Sequence, residues 1–93
     1  MDMDERAGLL AQTLRDRGTL TQLVGDFDPR ELFELVRAQV PCVGVISRTG
    51  NTLHLGLVTE DVRTLAHNDR INLATHYGLV GKVHGCDPGR VWR

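Results

Sequence analysis

Two cysteines and four histidines are the side chains of this sequence best suited to chemistry. His84-Gly85-Cys86 sets two soft ligands side by side, and Cys42 with His54 would complete a tetrahedral zinc set. The spacing argues against a metal, because the chain has no Cys-x-x-Cys or His-x-x-x-His pair. Cys86, His84 and Asp87 also supply a nucleophile, a base and an orienting group. Neighbours on an extended segment point to alternate sides, so the three are not expected to converge as a catalytic relay must. The acidic pairs Asp26 with Asp28 and Glu60 with Asp61 read as helix caps and first-turn charges, not as acid–base couples. No catalytic residue, bound metal or cofactor is therefore expected, and the chain reads as non-enzymatic.

Phosphate chemistry is no better supported. Gly78-Leu79-Val80-Gly81-Lys82-Val83 lacks both the spacing and the hydroxyl of a phosphate-cradling loop, and it runs into a predicted strand. Ten of the eleven cationic residues are arginines, scattered along a chain of net charge −1. That balance gives no drive toward nucleic acid or anionic lipid. Residues 20–39 have the size of a helix-turn-helix, but Arg30 and Arg37 face Glu31 and Glu34 on the would-be recognition helix. Nucleic acid is thus a disfavoured partner.

The 93 residues make one domain, too small for a core together with a buried catalytic cleft. No apolar run reaches the length of a membrane span, and the acidic start is unlike a signal peptide, so a cytoplasmic protein without membrane insertion is expected. Its cysteines should then be reduced, with Cys42 a small core residue.

The elements follow from periodicity and punctuation. A helix is predicted over 5–17, with Ala7, Leu10, Ala11 and Leu14 on one stripe and Gly18 as its stop. A second short helix is predicted from Thr19 to Gly25, from the Thr19/Gln22 capping spacing and the stripe Leu20, Leu23, Val24 and Phe27. Asp28-Pro29 starts a third, which Pro41 ends. Strands are expected at 42–47 and 52–58 around a two-residue Gly50-Asn51 turn. A fourth helix follows Thr59, with a possible break at Asn68-Asp69, and a third strand occupies 79–84. The fold class is α+β: a helical lobe over 1–39, a three-stranded mixed ββαβ sheet over 40–86 and a tail over 87–93. The last two strands are expected to be parallel through a right-handed crossover.

In wording the chain resembles the N-terminal domain of type II secretion and type IV pilus assembly ATPases. The resemblance rests on Asp28-Pro29, Arg48-Thr49-Gly50-Asn51-Thr52-Leu53, Leu73-Ala74-Thr75-His76-Tyr77-Gly78 and the lead-in from Leu14 to Thr21. It implies a regulatory or docking module without the ATPase, with a secretion or pilus assembly component as protein partner. Arg48, Asn51 and His54 on the hairpin would be its polar contacts and Trp92 its apolar anchor. Some members of that family bind cyclic-di-GMP, so an alternative is a cyclic-dinucleotide sensor using Arg15, Arg17 and Arg48. This chain has Leu9 where the arginine of their Arg-Leu-Gly motif should stand and no second copy of the motif, and Arg6-Ala7-Gly8 stands three residues too early. A small DNA-binding regulator is the other alternative.

Overall fold

A computed structural model describes residues 2–68 and 70–84. The elements run α1 (Met3–Arg17), β1 (Thr19–Leu23), α2 (Pro29–Arg37), β2 (Cys42–Ile46), β3 (Thr52–Leu57), α3 (Glu60–Asn68), α4 (Arg70–His76) and β4 (Lys82–His84). The fold is α+β: a four-stranded antiparallel sheet in the order β1-β3-β2-β4, with helices on both faces.

Local chemistry sets the helix ends. Asp2 caps α1, its carboxylate accepting from the Glu5 N–H at 2.7 Å, and Gly18 ends the helix in a left-handed conformation. Asp28 caps α2 in the same way through the Arg30 N–H, with Pro29 in the first turn. Asn68 ends α3 and Arg70 begins α4, so the expected break falls where the two helices meet.

Thr19–Leu23 is a strand and not the expected second helix. After the Gly18 turn the chain runs antiparallel to β3, with Leu20 opposite Leu55 and Gln22 opposite Leu53. Pairing with β3 satisfies the backbone, and the β-branched Thr19 and Thr21 suit it. The supposed helical stripe is split: Leu20 packs against the core, Val24 is buried, and Leu23 is 67% exposed. Gln22 caps nothing as a helix residue; its amide donates to the Leu23 carbonyl. The helix-turn-helix reading of 20–39 loses its first helix with this correction.

The mixed sheet is corrected to an antiparallel one: β3 and β4 do run parallel across α3 and α4, but β2 lies between them and pairs antiparallel with each. β3 has β1 on one edge and β2 on the other, so the returning chain cannot pair with it and takes the outer edge of β2. There β4 pairs antiparallel, Val83 opposite Val45. The hairpin turn is longer than two residues. Ser47 closes onto the Thr52 carbonyl, leaving 48–51 as the loop, and only Gly50 in it has positive φ, 76°.

Paired residues share a face. Leu20, Leu53, Leu55, Leu57, Cys42 and Ile46 lie on the face covered by α1 and α2, with Leu10, Leu14, Leu32, Phe33 and Val36. Val43 and Val45 lie on the other, under Val62, Leu73 and Ala74 from α3 and α4 and Tyr77 just after α4.

Candidate functional site

β1 occupies one end of the sheet, and no described segment pairs with its outer edge. Its ladder with β3 is framed by two hydrogen bonds, Leu57 N–H to the Gly18 carbonyl at 2.7 Å and Val24 N–H to the Asn51 carbonyl at 2.8 Å. In an antiparallel ladder alternate residues exchange both bonds with the neighbour. The residues between Gly18 and Val24 are thereby sorted: Leu20 and Gln22 turn their N–H and C=O groups to β3, and Thr19, Thr21 and Leu23 turn theirs outward. One of these outward groups is partly occupied, since the Gln22 amide donates to the Leu23 carbonyl at 2.9 Å.

The side chains of Thr19, Thr21 and Leu23 share the face that carries Gly56, His54 and Thr52 on β3. On this face the Tyr77 ring, just after α4, packs against Gly56. Beyond it Thr21 and Leu23 are exposed, and Thr21 Oγ1 lies 3.0 Å from His54 Nδ1. The result is a threonine-rich strip with one large exposed apolar side chain, flanked by an open row of backbone donors and acceptors. Chemically it can accept an added strand: main-chain bonds would hold an extended segment, and Leu23 would give it apolar contact.

The expected contact residues fall around this strip. Arg48 is exposed at the hairpin loop, with no partner among the described residues. Asn51 is exposed too, but its side-chain oxygen braces the loop, accepting from Thr49 Oγ1 at 2.6 Å and Thr52 Oγ1 at 3.0 Å. His54 is half-buried on the strip itself, tied to Thr21. Trp92, Cys86 and Asp87 lie outside the described residues. Sequence reasoning missed Thr19, Thr21 and Leu23 as a group. Their alternation with Leu20 and Gln22 was the available signal.

The three arginines of the ligand-sensing alternative are not brought together. Arg17 adjoins Gly18, which bonds to Leu57 at one end of β3, and Arg48 stands in the loop before Thr52 at the other. The six residues of β3 separate those ends by about 17 Å. Arg15 is engaged elsewhere, donating to the Gln39 carbonyl at 3.2 Å.

The metal set fares similarly. Cys42 is fully buried on the α1/α2 face, whereas His54 is on the opposite face. Among the described residues no three His, Cys, Asp or Glu side chains are placed to share an ion. One member of each acidic pair does structural work: Asp28 caps α2, and Glu60 pairs with Arg63 at 3.0 Å within α3, whereas Asp26 caps no helix. No helix among the described residues is long and apolar enough to cross a membrane. Comparisons of the chain with family models, curated proteins and solved structures find no match.

Proposed function

We propose that this domain is a non-catalytic protein-interaction or regulatory module that docks a protein partner along the β1 edge and the adjoining hairpin loop. The observation that supports it best is the uncovered strip of Thr19, Thr21 and Leu23, whose backbone groups face outward beside an exposed Leu23. Exposed sheet edges of this kind bind extended segments of other chains. Arg48 and Asn51, at the end of the strip, would supply polar contacts at its rim. The resemblance to the N-terminal domain of secretion and pilus ATPases names the partner class, a component of such an assembly in the cytoplasm. The charge balance favours a protein over nucleic acid.

The test is nuclease-treated capture from the host lysate, followed by binary reconstitution with the purified partner. The wild-type domain should retain a defined protein that Leu23→Lys and Arg48→Glu release. Retention of nothing above background by the wild type, or equal retention by both variants, would refute the proposal.

A further inference from the structure

Strand β1 lacks the devices by which sheet edges ordinarily resist pairing. Thr19–Leu23 contains no charged side chain and no proline, and its ladder with β3 runs in unbroken register without a bulge. We propose that the β1 edge pairs with the same edge of a second copy of the chain. The two strands would run antiparallel about a two-fold axis at Thr21, joining two four-stranded sheets into one. The inference rests on reading this edge as the docking surface, and it names the occupant.

Three features fit a second copy. The first is register. A two-fold axis at Thr21 sets Thr19 opposite Leu23 of the second copy and Thr21 opposite Thr21. All three turn their N–H and C=O groups outward, so each outward donor meets an outward acceptor. The Gln22 amide now on the Leu23 carbonyl is a side-chain stand-in that an incoming N–H would displace.

The second is side-chain fit. On the open face, Leu23 would lie against Thr19 and diagonally near Thr21 of the second copy, covering a side chain that is 67% exposed in the single chain.

The third is charge. Arg17 and Asp26 flank β1 at its two ends, both are exposed, and neither has a partner among the described residues. The nearer competitors are occupied: Asp16 accepts from Gln12 along α1, Arg15 donates to the Gln39 carbonyl, and Asp28 caps α2. An antiparallel two-fold pairing brings Arg17 of each copy to the end where Asp26 of the other lies. A parallel arrangement would bring like charges together.

Sedimentation velocity across a concentration series tests this with the full chain. The mass should rise from that of the 10.3 kDa chain toward twice that value as concentration increases. Thr21→Pro should remain monomeric with an unchanged circular dichroism spectrum, because proline is tolerated where the lost N–H faces outward from an edge strand. Arg17→Asp and Asp26→Arg should each weaken the dimer roughly threefold to tenfold, each change acting at two symmetric pairs. The double exchange should restore it.

Wild type that stays monomeric up to about 1 mM would overturn the proposal. So would Thr21→Pro dimerising like wild type, or a double exchange weaker than either single one. A monomeric wild type that still captures a lysate protein through Leu23 would overturn self-pairing alone and leave the docking function standing. A dimer lacking any captured protein would support self-pairing and remove the other reading.

Discussion

The two faces of the sheet are built alike where they are covered and differ in how far the cover reaches. On one, α1 and α2 span from Leu20 on β1 across β3 to Cys42 and Ile46 on β2, and Phe33 sits over Gly44. On the other, α3 and α4 cover Val43 and Val45, and Tyr77 sits over Gly56. Among the described residues the cover ends there. Outward of β3 the first face carries Leu20 and Gln22, while the second carries Thr19, Thr21 and Leu23. Among the described residues, one face is a finished core and the other a core that stops at β3. That boundary is where a second chain can add burial without disturbing the first.

The largest losses of stability are expected at the finished face. Phe33→Ala should cost about 3–5 kcal/mol in chemical denaturation, since it empties a fully buried site. Gly44→Ala puts a methyl carbon 2.4 Å from the Phe33 ring and should cost about 1–3 kcal/mol. Combining it with Phe33→Leu should recover part of that loss, which a double-mutant cycle would read as coupling.

The half-covered face should yield smaller effects. The Tyr77 hydroxyl donates to the Leu57 carbonyl, so Tyr77→Phe should cost about 1 kcal/mol near neutral pH. Burial raises the Tyr77 phenol above its ordinary value of 10.0. The folded state then holds this proton more tightly than the unfolded chain does. Its contribution is complete below pH 10.0 and is lost as pH rises from there through the folded value. Alkaline denaturation should therefore show a steeper loss in wild type than in Tyr77→Phe. On the open strip, Thr21→Val removes only the bond to His54 and should change stability by less than about 0.5 kcal/mol.

Much of the architecture was readable from residue order. Asp28-Pro29, Gly18 and Pro41 punctuate the helices as capping chemistry requires, and Leu53, Leu55 and Leu57 do share a buried-side face. The failures share a cause. Thr19-Leu20-Thr21-Gln22-Leu23-Val24 satisfies a helical period and a strand period alike, and the decision belongs to a partner 33 residues away, where Thr21 meets His54. The mixed sheet failed as a consequence: β3 and β4 do run parallel, but with β1 read as a helix β3 has a free edge for β4 that the fold gives to β1. The open strip was hidden by the same error, because its members become neighbours only once β1 is a strand. The hairpin residues were legible, but Asn51 braces its own loop, which only the folded geometry reveals.

The open β1 edge is the central claim, and residue-resolved amide hydrogen exchange by NMR tests it most directly. In dilute protein, the Leu20, Gln22 and Val24 amides should exchange slowly, and those of Thr19, Thr21 and Leu23 quickly. Raising the concentration should slow the second set selectively. Uniform protection along Thr19–Leu23 in dilute protein, or no alternation at any concentration, would contradict an open edge and the docking function built on it.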